Sequence, residues 1–173
     1  MKMSAMPFTS VLPRFHAALL VLVVSLLTIG GAWFIELVLG VKPCHLCLIG
    51  RIPHYVGIPV AALALIANRP AVSPRIGRVI LSLLALVFLA GTGIAVYHSG
   101  VEFGLFTGPT DCTGTIEKAA DIQDFLKQLQ TVKVIRCDEV AMRIFGLSLA
   151  SWNAVISLGL ALVAAMGATL KKA

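Results

Sequence analysis

The sequence predicts an all-α membrane protein, a bundle of four transmembrane helices with a long loop between the third and the fourth. Of its 173 residues, 58% are apolar and only 13% are charged. In an ordinary soluble domain roughly half of the residues are apolar and about a quarter are charged. Four apolar runs approach the roughly 20 residues that cross a bilayer, and a helix satisfies its own backbone hydrogen bonds there. We therefore expect residues 1–173 to form a single membrane domain.

The four predicted spans cover approximately residues 15–39, 48–67, 79–97 and 147–170. The first is too long for the apolar core of a secretory signal, about 7 to 15 residues, and no small-residue cleavage pattern follows it. The second contains Pro53, Gly57 and Pro59. Neighbouring helices can satisfy the carbonyl groups that a proline leaves free, so we expect a kinked helix in the second span.

Basic residues at the span ends predict the orientation, because Lys and Arg accumulate in short cytoplasmic loops. They precede the first span, lie between the second and the third, and follow the fourth, so all fall on one face: Lys2, Arg14, Arg69, Arg75, Arg78, Lys171 and Lys172. We expect both termini in the cytoplasm and the loops at 40–47 and 98–146 on the outer side. The net charge of +6 is thus a topological signal and requires no nucleic-acid partner.

All four cysteines fall in the two outward loops. Cys44 and Cys47 form a Cys-His-Leu-Cys motif before the second span, and Cys112 and Cys137 lie in the long loop. Disulfides persist in oxidising compartments such as the bacterial periplasm. Four cysteines allow three pairings, and the short spacing of Cys44 and Cys47 favours that pair, which leaves Cys112 with Cys137.

The two pairs suit different tasks. A bridge between Cys112 and Cys137 would stabilise the loop by about 3 kcal/mol on the chain-entropy estimate, and a purely structural role for it stays open. A Cys-x-x-Cys pair closes too short a ring to stabilise much, but the motif lowers a thiol pKa and raises reactivity. We interpret Cys44 and Cys47 as a reversible redox couple.

Arg51 follows Cys47 by four positions, so on a helix the two side chains share a face. A charged residue inside an apolar span costs about 3 kcal/mol at mid-depth and is usually functional. Near a helix end it can instead extend to the interface as an anchor. We expect the guanidinium to stabilise a thiolate at Cys47 or to bind a carbonyl oxygen, with the interfacial anchor as the alternative.

The whole pattern resembles the disulfide bond formation protein B (DsbB) family, inner-membrane quinone reductases that reoxidise a periplasmic thiol oxidase. The resemblance covers nearly the whole chain, and its combination of motifs is specific. It rests on the order of the four spans and on these segments: Cys44-His45-Leu46-Cys47 with Arg51, Tyr97-His98-Ser99-Gly100-Val101-Glu102, Gly108-Pro109 before Cys112, Cys137, and Trp152-Asn153-Ala154.

The resemblance implies a bacterial inner-membrane, quinone-dependent thiol oxidase whose cysteines face the periplasm. A reduced DsbA-type, thioredoxin-fold partner would attack the disulfide of Cys112 and Cys137 through Cys112. Cys137 would then exchange with Cys44, and Cys47 would donate electrons to ubiquinone or menaquinone. Arg51 would polarise a quinone oxygen, and His98 would be either a second quinone neighbour or an interfacial residue without a role. No metal is expected.

Three alternatives have different sequence signatures. A vitamin K epoxide reductase-like enzyme also combines four spans with two cysteine pairs, but its Cys-x-x-Cys lies late in the chain. A zinc site could use four thiolates, yet Cys112 and Cys137 lack the close spacing that the other pair has. A membrane protein with purely structural disulfides is the third alternative, and thiol titration separates it from a redox enzyme.

Overall fold

Four long helices make up most of the computed structural model, which describes residues 14–68, 74–109, 121–123, 126 and 136–169. Helix α1 spans Arg14–Leu37, α2 His45–Ala67, α3 Pro74–Glu102 and α4 Leu149–Thr169. All four are long and apolar enough to cross a membrane. The prediction of a mostly helical protein with four such helices is confirmed.

The helices begin and end at different residues from the predicted spans, because apolarity marks the bilayer-facing stretch and not the whole helix. Helix α2 begins at His45 rather than at 48, since Cys44 caps its N-terminus and its Sγ accepts a hydrogen bond from the Cys47 amide at 3.3 Å. Helix α3 runs over 74–102 rather than 79–97. The predicted loops at 40–47 and 98–146 therefore include helical residues at 45–47 and 98–102.

Small side chains let the helices approach one another closely. Helix α3 packs against α2 and α4, and α1 packs against the same two helices, so the four form a ring in chain order. A Cβ atom on Gly57 would lie 2.5 Å from Cζ of Phe88, which is fully buried. Close backbone approach of this kind is typical of membrane helices. The core is built largely from alanines: Ala17, Ala18, Ala61, Ala64, Ala161, Ala164 and Ala168.

The outer surface of the ring is apolar. Leu27 is 70% exposed, Leu86 61% and Leu63 56%, each on a different helix. A water-soluble protein rarely exposes so much contiguous apolar surface, whereas the hydrocarbon of a bilayer favours it. These leucines are the lipid-facing side of a transmembrane bundle.

Helix α2 continues through Pro53 and Pro59 without a break in its assigned residues. Pro53 packs against Gly91 of α3, where an added Cβ would lie 2.9 Å from Cβ and Cγ of the proline ring. The missing side chain at Gly91 thus accommodates the ring. A kink in α2 stays a prediction.

A short hairpin lies immediately before α4. Strand β1, Arg143–Ile144, pairs antiparallel with β2, Leu147–Ser148. The turn residues Phe145 and Gly146 both have positive φ, 50° and 83°, as a two-residue type I′ turn requires. Trp152 of α4 donates from Nε1 to the Ile144 carbonyl at 2.9 Å, which fixes the hairpin over the end of the bundle. Much of the preceding segment, including 110–120 and 127–135, lies outside the described residues.

Candidate functional site

Cys44 and Cys47 lie together where α2 begins, and both are present as thiols. Their Sγ atoms are 2.8 Å apart, within hydrogen-bonding distance. Cys44 is 2% exposed and Cys47 is half-buried. The N-cap position of Cys44 and the first-turn position of Cys47 turn both side chains to the same side. The motif thus forms a compact dithiol.

Cys44 is the protonated member of this pair. The hydrogen bond to the Cys47 thiol raises the pKa of Cys44 to about 12, and burial acts in the same direction. A hydrogen bond from His98 opposes this shift. A thiol is a poor nucleophile compared with its thiolate, so reduced Cys44 does not start a further exchange at neutral pH.

His98 and Glu102 extend the dithiol cluster from the last turns of α3. His98 Nε2 lies 3.6 Å from Cys44 Sγ and 4.0 Å from Glu102 Oε1. Both side chains are buried, and among the described residues Glu102 Oε2 has no hydrogen-bond partner. His98 is therefore placed directly beside the cysteines rather than on an interfacial surface.

Cys137 packs on the same cluster although it comes from the loop segment. It is 1% exposed and contacts a group that contains Cys44 and Val101, with Cys47 at its edge. The interaction between Cys137 and Cys47 is close enough to be electrostatic. Three of the four predicted cysteines are thus brought together. Cys112, and with it the predicted Cys112–Cys137 pairing, lies outside the described residues.

Arg51 lies one turn beyond Cys47 on α2 and is held by α1. Its Nη1 donates to Glu36 Oε2 at 2.6 Å, and its guanidinium carbon lies 5.8 Å from the centre of the Trp33 ring. Both charged side chains are largely buried, Arg51 at 12% exposure and Glu36 at 21%. One nitrogen is engaged by the carboxylate, so other donors of the guanidinium remain for a second acceptor.

A cavity of about 330 Å³ opens beside these residues. Its volume lies within the range of small-molecule sites, and like them it is lined mainly by apolar side chains with a few polar groups. The polar groups come from Cys47, Arg51, His54, His98 and Asn153. An apolar ring compound with polar oxygens, such as a quinone headgroup, fits this donor set: a cation and two imidazoles beside a thiol.

A second polar group lies deeper, between α2 and α4. His54 Nε2 lies 3.1 Å from Asn153 Oδ1, and Asn153 Nδ2 donates to the Gly50 carbonyl at 3.2 Å. Gly50 permits this contact, because a Cβ there would lie 2.9 Å from Asn153 Nδ2. The imidazole is 1% exposed and meets the Phe88 ring edge-to-face at 5.4 Å between centroids.

The ligand atoms of Cys44, Cys47 and His98 all lie within 4.8 Å of one another, a spacing that could hold a metal ion. Two thiolates and an imidazole suit zinc. The same geometry suits thiol–disulfide exchange, since the two sulfurs already touch.

Sequence reasoning missed Glu36 and His54 and treated Glu36 and Trp33 as interfacial residues. The available signal was position: Glu36 is an acidic residue within the first predicted span and His54 a titratable residue within the second. Intramembrane ionisable residues are costly and usually functional. Which residues they contact depends on helix packing, which the sequence does not display.

Comparison with known proteins places this arrangement in a family. A family model described as disulfide bond formation protein DsbB matches residues 13–167. A disulfide bond formation protein B of Marinobacter nauticus is 30% identical over 130 residues, covering 72% of this chain and 73% of its own length.

Two further relatives have similar coverage. A disulfide bond formation protein B of Stutzerimonas stutzeri is 26% identical over 142 residues, 80% of this chain and 85% of its own. An uncharacterised protein of Rickettsia prowazekii is 23% identical over 142 residues, 81% of this chain and 79% of its own. No solved structure matches at a comparable level of significance.

Proposed function

Since the chain belongs to the disulfide bond formation protein DsbB family, we propose that it reoxidises a periplasmic DsbA-type thiol oxidase and passes the electrons to a membrane quinone. Family membership makes it a multi-pass membrane disulfide oxidoreductase that acts in disulfide bond formation. The partner, the quinone and the order of the cysteines are the proposal. Membership also favours this function over a vitamin K epoxide reductase-like enzyme, a zinc protein or a structural membrane protein.

The packing of Cys137 against the dithiol is the observation that carries the proposed relay. A partner thiolate attacks Cys112 and releases Cys137, which exchanges with Cys44 because their side chains share one buried cluster. Each exchange forms one S–S bond and breaks one, so no electrons are lost between the two pairs. The resulting Cys44–Cys47 dithiol holds the two electrons and two protons that came from the partner.

Potential sets the direction of the relay. A DsbA-type oxidase is itself strongly oxidising, at about −120 mV, so its electrons require a still more oxidising acceptor. A quinone supplies this chemistry by accepting two electrons and two protons. In the cavity, Cys47 presents its sulfur, Arg51 presents free guanidinium donors to an oxygen, and His98 lies beside the Cys44 sulfur. Ubiquinone and menaquinone both fit this description.

The positions of the charged residues support the proposed orientation in the inner membrane. Arg14, Arg75 and Arg78 lie at the starts of α1 and α3, the end of the bundle away from the dithiol. The cysteine cluster lies where α2 begins and α3 ends. Basic residues mark the cytoplasmic side, so we propose cytoplasmic termini, periplasmic cysteines and a periplasmic loop between α3 and α4 in one membrane domain.

A purified-component assay tests this function. Full-length protein in lipid nanodiscs is mixed with a reduced DsbA-type partner and a short-chain ubiquinone analogue, and quinone absorbance is followed. We expect steady quinone reduction in the wild type and its loss in the Cys44→Ser and Cys112→Ser variants. The control is His16→Gln, an exposed α1 residue at the opposite end of the bundle. If either cysteine variant reduced quinone at the wild-type rate, the relay would be wrong.

A further inference from the structure

His54 offers a buried hydrogen-bond acceptor that the described residues do not use. The imidazole lines the cavity and is 1% exposed, and its Nδ1 has no partner among the described residues. A buried polar atom without a partner destabilises a structure. Native proteins retain such atoms chiefly where a ligand or an ordered water satisfies them.

The surrounding contacts define what Nδ1 can do. Asn153 Nδ2 donates to the Gly50 carbonyl, so its Oδ1 faces His54 and acts as the acceptor. Ser157 Oγ also donates to that oxygen, at 3.4 Å. His54 Nε2 must therefore carry the proton, and in the neutral ring Nδ1 is left as an acceptor. The histidine is set to receive a hydrogen bond and not to give one.

This polarity distinguishes the two redox forms of a quinone. Both oxygens of a quinone are carbonyls and accept hydrogen bonds, whereas those of a quinol are hydroxyls and donate them. We propose that His54 Nδ1 accepts a hydrogen bond from a quinol hydroxyl, so that the cavity binds quinol more tightly than quinone. The proposal rests on the proposed quinone reductase function and adds a residue that discriminates the product from the substrate.

The position of His54 along α2 agrees with this assignment. Cys47, Arg51 and His54 follow at intervals of four and three residues, so they lie on one face of the helix and all line the cavity. Arg51 and His54 are about 4.5 Å apart along the helix axis at 1.5 Å per residue. The oxygens of a para-quinone lie at opposite ends of its ring, so Arg51 serves the oxygen nearer the cysteines and His54 the other.

The reaction balances in protons and electrons. Oxidation of the Cys44–Cys47 dithiol forms one S–S bond and releases two electrons and two protons, which convert the two carbonyl oxygens of a quinone to hydroxyls. One of these hydroxyls donates to His54 Nδ1. Tighter binding of the reduced form raises the reduction potential of the bound quinone, by about 30 mV for each tenfold preference. Electron transfer from a strongly oxidising partner is thereby favoured.

The test compares binding of both redox forms to full-length protein in which Cys44 and Cys47 are serine, so that no electron transfer occurs. The probe is a decyl-benzoquinone and its quinol, titrated anaerobically in nanodiscs, with quenching of tryptophan fluorescence as the readout. Trp152 lines the cavity and supplies the signal. We expect quinol to bind about tenfold more tightly than quinone, about 1.4 kcal/mol.

Two substitutions separate the nitrogens of His54. His54→Gln keeps an amide group near the Nε2 position, which still bonds Asn153, and removes Nδ1. His54→Asn keeps an oxygen acceptor near the Nδ1 position and loses the bond to Asn153. We expect His54→Gln to weaken quinol binding about tenfold with quinone binding unchanged, and His54→Asn to retain the preference. His16→Gln serves as the control.

The possible outcomes are distinct. Equal weakening of quinone and quinol in His54→Gln means that His54 only holds the helices together, and the inference is overturned. Equal affinities for both forms in the parent protein overturn it as well, while leaving the proposed function intact. If the parent binds neither form, the quinone step of the proposed function fails together with this inference.

Discussion

Arg51 shows how one residue can serve both structure and chemistry. Its ion pair with Glu36 joins α1 to α2 at the depth of the cavity. Breaking a buried ion pair by removing one partner leaves an uncompensated charge, which is strongly unfavourable. Glu36 is therefore a positioning residue: it fixes where the remaining guanidinium donors point, and Trp33 supports the flat face of the cation.

Glu36→Ala should raise the apparent quinone KM several-fold, because an unanchored Arg51 no longer presents its donors in one direction. Glu36→Gln keeps a hydrogen-bond acceptor and should restore most of the wild-type KM. The rate of thiol exchange with a reduced partner, measured without quinone, should stay unchanged in both. A KM unaffected by Glu36→Ala would show that the ion pair has no role in quinone binding.

Arg51→Ala should raise the apparent quinone KM by about tenfold, as expected for the loss of one charged hydrogen bond, while sparing thiol exchange. Steady-state kinetics over a range of quinone concentrations measure the effect. Arg78→Ala, at the opposite end of α3, is the control. An unchanged KM in Arg51→Ala would remove Arg51 from the quinone site.

The alkylation rate of reduced Cys44 should reveal its raised pKa. Alkylating reagents attack the thiolate, so a pKa of about 12 makes Cys44 slow to react at pH 9, and the rate should keep rising above that pH. Cys47→Ala removes the hydrogen bond that raises the pKa most and should accelerate the reaction at pH 9. His98→Ala removes the bond that lowers it and should slow the reaction. Mass spectrometry of peptides measures both, and changes of the same sign would contradict the assignment.

Helix α2 combines the cap, the site and the packing contacts in one element. Cys44 ends the preceding loop, Cys47, Arg51 and His54 share one face, and Gly57 meets α3 a further turn along. The cysteine motif at a helix start and the i, i+4 relation of Cys47 to Arg51 could be predicted from spacing. The contact of Gly57 with Phe88 could not, because it depends on how closely α3 approaches.

Gly57→Ala should destabilise the bundle by about 1–3 kcal/mol, the usual cost of overpacking. The added methyl would lie 2.5 Å from the buried Phe88 ring, which has no space to move. Gly93→Ala is a matched control on α3, where no atom lies within 4 Å of the added Cβ. Thermal unfolding midpoints in detergent compare the two variants. Equal midpoints would mean that α2 and α3 are not packed this closely.

At the scale of the whole molecule, orientation can be tested by labelling. In a variant with all native cysteines replaced by serine, Phe145→Cys places a thiol on the hairpin turn, where the native side chain is 95% exposed. Arg75→Cys places one at the start of α3, at the other end of the bundle. A membrane-impermeant maleimide added to intact cells should label the first and not the second. The reverse pattern would invert the proposed topology.

The sequence alone determined the membrane class, the four helices and the candidate cysteines. Hydropathy over about 20 residues reports the bilayer directly, and local spacing reports which residues share a helix face. The tertiary structure alone brought Cys137 to the dithiol, paired Glu36 with Arg51 and left His54 Nδ1 as an acceptor facing no described partner. These contacts join residues from different helices or from distant parts of the chain. Side-chain packing decides them, and no local pattern in the sequence encodes it.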